Sequence, residues 1–352
     1  MIGLSSRAAK QRGFTIVEFM VALLLGTILI GGAISIYLAS SRSSQETERS
    51  IELLNNGRFA MQILNDTLRH AGSSTGANFG DPNNSLNRNL PTPDAVSGDC
   101  ATPIEARAYD LRTYVLAEVA AADGTAFGGC VTDAVAGTDV LIAKHLVPAP
   151  IFDADPNDPT PSLNGVLDFP MEPDLDRTYA VTTATQGEVF DGADRALIAG
   201  SDMAGGIAWP YSFQVFYVRA GDDGQPVALA RKLLRKVGGS MTLAQEDLVT
   251  GVEDMRIRFR YRDDSGAVNL GYASDLDVGD GDWRRVSSAE VFLLLRSDED
   301  PEYLDDKTYR LGDRTVTPLS TPAENPPNRW RLLANRYITL RNPNLEMIRG
   351  GT

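Results

Sequence analysis

A carboxylate, a cysteine pair, an aspartate cluster and two histidines are the residues of this sequence whose types and spacing could do chemistry. Glu18 stands at the front of an apolar run, KQRGFTIVEFMVALLLG at positions 10–26. A lone carboxylate in a membrane span costs roughly 2.5–3.5 kcal/mol on insertion scales, so such a residue normally has a partner and a task. Cys100 and Cys130 are the only cysteines. Outside the cytoplasm such a pair reads as a disulfide closing a surface loop, the alternative being two unpaired thiols. Asp275, Asp277, Asp280 and Asp282 supply hard oxygen donors and make calcium a candidate ligand. Gly279 and Val286 depart from the EF-hand pattern, and an acidic hairpin tip without metal explains the same cluster. His70 and His145 are the only histidines, one at an expected helix end and one in an expected strand, and both read as structural. No H-E-x-x-H, G-x-S-x-G, S-x-x-K, Walker A or G-x-G-x-x-G motif is present, so no cofactor is expected and the chain reads as a non-enzyme.

The elements that must position these residues begin with a membrane helix. Phe19 to Ala39 carries no charge and is long enough to cross a hydrocarbon core of about 30 Å. Arg7, Lys10 and Arg12 precede it, while Glu46 and Glu48 follow Arg42. The positive-inside bias therefore keeps the N-terminus cytoplasmic and exports the rest. A secretory signal peptide would have a shorter apolar region and a small-residue exit site, and Glu18 spoils the front of this one. Small residues four apart, Ala22 and Gly26, then Gly31, Ser35 and Ala39, offer strips for close helix packing. Beyond Arg42 the pattern becomes amphipathic, with Ile51, Leu54, Met61, Leu64, Leu68 and Ala71 on one face. Arg69, His70 and Gly72 mark its end. A helix from Phe14 to Ala71 would run about 87 Å at 1.5 Å per residue.

Residues 73–104 and 148–178 are rich in Pro, Asn, Asp and Gly and read as long loops. Strand signals occur at 138–147, 211–220, 226–237, 255–262, 289–297 and 336–342, all rich in branched and aromatic residues. In MRIRFRYR, Met255, Ile257, Phe259 and Tyr261 alternate with four arginines, which predicts a sheet with one buried face and one solvated or partner-facing side. The formal net charge of −14 argues against a nonspecific grip on nucleic acid or anionic headgroups, and no direct nucleic-acid binding is expected.

RGFTIVEFMVALLLG closely resembles the class III leader of type IV prepilins and type II secretion pseudopilins. The resemblance implies that a prepilin peptidase cuts between Gly13 and Phe14 and methylates the new amine, which then docks on Glu18 of a neighbouring subunit. Major pilins of that group usually carry proline where this chain has Ser35, which puts a regular bend there in question. NNGRFAMQILNDTLRHAG, DLVTGVEDMRIRFRYRDD, DWRRVSSAEVFLLLRS and RWRLLANRYITLRNP, in this order, resemble blocks of the PilW family of minor pilins, which is akin to the J-type pseudopilin.

The expected fold is α+β, a pilin-like lollipop. It has a leader at 1–13, a helix at 14–71 (transmembrane about 19–40, amphipathic 41–71) and a β-rich antiparallel head at 72–352. The expected role is a minor pilin that primes pilus assembly at or near the tip by non-covalent packing, for twitching or adhesion. Its expected partners are other minor pilins, the major pilin, the prepilin peptidase and the inner-membrane assembly platform, with a tip adhesin as a further candidate. The alternatives are a J-type minor pseudopilin and a membrane-anchored periplasmic binding domain that does not polymerise. If the cleavage site is placed correctly, Gly13→Ala should leave the chain at its uncut size on a denaturing gel. Migration at the mature size would place the cut elsewhere.

Overall fold

The apolar run and the amphipathic stretch after it form a single helix, α1, over Ile16–His70. The computed structural model describes residues 15–73, 93–100, 107–110, 113–148, 152–153, 174–182, 187–197, 207–221, 227–263, 265–276, 282–321 and 325–341. The expected leader, with Gly13 and Phe14, and most of both expected loops lie outside them. The chain divides within α1, into a unit ending at Glu52 and a unit beginning at Leu53.

In the first unit the side chains from Ile16 to Leu38 are left uncovered, and this is the one described helix long and apolar enough to cross a membrane. Two of its hydroxyls are satisfied within the helix. Thr27 Oγ1 donates to the Leu23 and Leu24 carbonyls, and Ser35 Oγ donates to the Gly32 carbonyl at 2.8 Å. No polar group of either side chain then has to find water in an apolar surrounding.

In the second unit Met61, Leu64, Leu68 and Ala71 of the expected apolar face are buried. Leu53, Gly57 and Ala60 are buried with them, whereas Leu54 is 45% exposed; Ile51, in the first unit, is 52% exposed. At Gly57 the helix lies against a sheet of the head, where a Cβ would stand in ordinary van der Waals contact, 3.4 Å from Leu332 and 3.5 Å from Leu295. The helix stops at Gly72, whose φ of +71° suits glycine and whose N–H donates to the Lys144 carbonyl.

The rest of the head consists of strands. They are β1 (Val115–Val119), β2 (Asp139–Leu146), β3 (Phe152–Asp153), β4 (Thr178–Thr182), β5 (Gly187–Asp191), β6 (Ile207–Arg219) and β7 (Ala228–Val237). After these come β8 (Ser240–Thr250), β9 (Val252–Arg262), β10 (Val268–Tyr272), β11 (Val286–Glu299), β12 (Tyr309–Leu311), β13 (Arg314–Val316) and β14 (Arg329–Thr339). β1 to β8 make one antiparallel sheet centred on β6. β10, β9, β11 and β14 make a second antiparallel sheet in that order, and β12 and β13 form a hairpin. β7 and β8 are joined through Gly238 and Gly239, both at positive φ, the arrangement a two-residue hairpin of matching twist requires. Gly251 carries the chain from the first sheet to the second. A Cβ there would meet the Arg296 carbonyl oxygen at 2.6 Å, so only glycine fits this corner.

Met255, Ile257 and Phe259 of β9 are fully buried, in keeping with the alternation of MRIRFRYR. Its arginine face is not simply solvated. The β12–β13 hairpin covers part of it, packing Tyr309, Leu311 and Val316 on Phe292 and Leu294. Arg256, 5% exposed, donates to both Asp313 oxygens at 2.9 Å and to Asp139 at 2.6 Å. Arg314 of β13 reciprocates on Asp254, and Arg258 pairs with Glu290. The charge that looked like a surface is a fastener.

Asp139 has no exposed surface and also accepts from the Ile257 N–H at 2.7 Å. Burial pushes its carboxyl up to about 6, against the pull of Arg256. The native chain therefore holds this proton more tightly than the unfolded one, and that contribution to stability is lost as pH rises through about 6. Removing the cation should sharpen the effect. Arg256→Met should cost on the order of 3 kcal/mol at about pH 7.5 and clearly less at about pH 5, where Asp139 is neutral. Denaturant unfolding of the full-length chain in detergent measures this, and an equal loss at both pH values would refute the account.

Candidate functional site

The first turn of α1 holds Glu18 by a local arrangement that neither the apolar run nor the leader pattern announces. Thr15 lies just before the helix, and its backbone N–H and its hydroxyl both donate to Glu18 Oε2 at 3.0 Å. The Glu18 N–H donates back to Thr15 Oγ1 at 3.3 Å. This reciprocal T-x-x-E pattern is a capping box, satisfying donors that the start of a helix otherwise leaves open. Before any processing, then, Glu18 already has a partner within its own chain. The spacing of Thr15 and Glu18 was the signal that could have shown it. Oε1 makes no hydrogen bond among the described residues and remains available.

Further along the uncovered half, a Cβ built on Gly26, Gly31 or Gly32 would meet nothing within 4 Å. These positions are notches on a helix whose apolar side chains are exposed. An uncovered apolar surface of this extent marks a membrane or protein contact.

The other sequence candidates are dispersed through the head. Cys100 and Cys130 are joined in a disulfide, with Cα atoms 4.7 Å apart. The bridge ties the segment before Cys100 to a short turn after β1, where the Cys130 carbonyl also accepts from Lys232 Nζ. Of the aspartate cluster, Asp275 is exposed and accepts from the Tyr272 N–H at 2.8 Å, capping a short turn. Asp277 and Asp280 lie outside the described residues, as does the Asp282 side chain. Among the described residues no group of three or more potential ligands gathers for a metal. The two histidines, far apart in sequence, come together, with ring centroids 6.0 Å apart.

Residues 215–342 match the family described as type IV pilus-assembly protein W, and residues 8–34 match the prokaryotic N-terminal methylation motif. Together these two matches support a PilW-type minor pilin. No curated protein and no solved structure matches it. The two matched stretches are the helix front with Gly13, Phe14 and Glu18, and the part of the head running from mid-β6 through β14. The whole second sheet and its ion-paired hairpin thus fall inside the matched region, whereas β1 to β5 and the disulfide fall outside it. A type IV pilus component of this kind is a structural subunit with a membrane-capable anchor.

Cross-linking through Cys100 and Cys130 should stabilise the pilin chiefly by restricting its unfolded chain. Cys130→Ser should lower the unfolding free energy by about 2–4 kcal/mol. Denaturant titration of the variant with and without reductant checks this. A wild-type chain whose midpoint ignores reductant, or whose two thiols label without it, would contradict the bridge.

Proposed function

We propose that this minor pilin primes pilus assembly with other minor pilins and takes its place at or near the filament tip. In this reading it is inserted with its N-terminus cytoplasmic and its head outside, is cut by the prepilin peptidase at Gly13, and waits in the membrane for the assembly platform. Assembly is non-covalent packing, with no bond made or broken by the pilin itself. The observation that carries the proposal is Glu18. Its Oε2 is committed to Thr15 in its own chain, while Oε1 is open toward an incoming amine. Cleavage after Gly13 would place such an amine on Phe14 of a neighbouring subunit, and a charge-assisted hydrogen bond in an apolar surrounding is strong and short. The uncovered apolar helix, notched at Gly26, Gly31 and Gly32, would then pack among the helices of the major pilin. Partner choice, including any tip adhesin, would rest with the head, because the matched methylation motif ends at residue 34.

Two substitutions separate docking from capping. Glutamine keeps the capping geometry but loses the charge, whereas alanine loses both. If charge-mediated docking drives assembly, Glu18→Gln and Glu18→Ala should both be processed normally and both reduce surface pili at least about tenfold, one decade being about 1.4 kcal/mol. Immunoblots of sheared pili and of membrane fractions provide the measurement. Wild-type piliation with Glu18→Gln would reduce the residue to a helix cap, and wild-type piliation with both would indicate an anchored domain that does not polymerise.

A further inference from the structure

The chain's only two histidines meet at the junction of α1 with β2, and nothing in the assembly role uses them. His70 lies in the last turn of α1, and His145 lies near the end of β2. Their placement is fixed by backbone. The Gly72 N–H donates to the Lys144 carbonyl at 3.1 Å, and the Leu146 N–H donates to the Ser73 carbonyl at 3.1 Å, so the residues flanking His145 are stitched to those following His70. Sites built on such elements hold their geometry better than sites on loops.

The chemistry of each ring suits a metal ligand. His70 Nδ1 lies 2.7 Å from the Asp66 carbonyl. A carbonyl only accepts, so in the neutral ring the proton sits on Nδ1 and the lone pair on Nε2. An Nδ1–H bond to a carbonyl is also what orients metal-bound histidines. His145 Nδ1 is buried with no hydrogen-bond partner. A buried, unsatisfied nitrogen calls for an explanation such as an ion or a water. Spacing also permits a shared ion. With metal–nitrogen bonds of about 2.0–2.1 Å, each ring centroid stands roughly 3.2 Å from the ion it ligates, so two bridged rings can be up to roughly 6.4 Å apart. The observed separation is 6.0 Å.

We propose that His70 and His145 form a two-imidazole site for a borderline divalent transition ion, completed by water. Imidazole ligation favours copper, nickel and zinc over calcium and magnesium, with copper(II) held most tightly of the series. An ion there would pin the end of the long helix to the first sheet of the head, adding a metal clip where the helix leaves its packing.

The test uses the full-length chain, purified in detergent without a histidine tag and titrated with Cu²⁺, Zn²⁺ or Mg²⁺ alone. Cu²⁺ and Zn²⁺ should raise the thermal midpoint, whereas Mg²⁺ should not. The exposed position of His70 makes His70→Gln the safer variant, and it should weaken Cu²⁺ binding at least about tenfold. Electron paramagnetic resonance of the bound Cu²⁺ gives an independent readout, with two imidazole nitrogens expected in the wild type and one in His70→Gln. Unchanged Cu²⁺ affinity in His70→Gln, a spectrum without nitrogen ligands, or no binding up to about millimolar metal would overturn the proposal.

Discussion

The head is organised around the burial of one face of α1. Leu53, Ala60, Met61, Leu64 and Leu68 enter the core, and Leu295 and Leu332 of the second sheet lie beside Gly57. A strand pair packed on a helix needs its own outer face supported, because a four-stranded sheet with one bare hydrophobic side would bury too little apolar surface. The β12–β13 hairpin provides that support, and the chain's alternating charges hold it there. Arg256 reaches inward to Asp139 and outward to Asp313, spanning from the first sheet through the second to the hairpin. The second sheet is therefore covered on one face by a helix and partly on the other by a hairpin held with ion pairs.

This arrangement divides the head into parts under different constraints. The first sheet is built around β6, most of whose side chains from Tyr211 onward are buried. Its connection to the second sheet passes through Gly251, where the Arg296 carbonyl leaves no room for a side chain. The matched family region takes in this corner and the strands after it, as far as residue 342. The packing problem that the family region solves is thus the joint between the sheets and the clamp over the second one, and the material before mid-β6 is attached to that solved unit.

What the sequence made legible follows from how local each signal is. The membrane-capable helix could be read because length and the absence of charge are properties of one contiguous stretch. β2, β6, β7, β9 and β11 could be read because their apolar and aromatic residues are dense, and β14 only in its second half, since it begins at Arg329 where the pattern mixes arginine with tryptophan and leucine. β8 went unread. Its sequence, SMTLAQEDLVT, is half polar, and its acidic residues are held by cross-strand partners, Asp247 by Arg219 and Glu246 by Arg231, that periodicity does not see. The inward face of α1 was legible from Met61 to Ala71, and missed only earlier on the helix, where Leu53 is buried and Leu54 is exposed. The histidine pair and the Asp139–Arg256 contact join residues from different elements, so only the fold could bring them together.

The capping box at the front of α1 also bears on how the chain enters a bilayer. A carboxylate stripped of water loses its hydration, and donors supplied by its own backbone and a neighbouring hydroxyl replace part of that shell. Thr15 places two such donors on one oxygen, so Glu18 travels into an apolar phase partly solvated by its own helix. Thr15 is in that sense a portable hydration site, and its loss would raise the barrier to membrane entry before any second subunit is present.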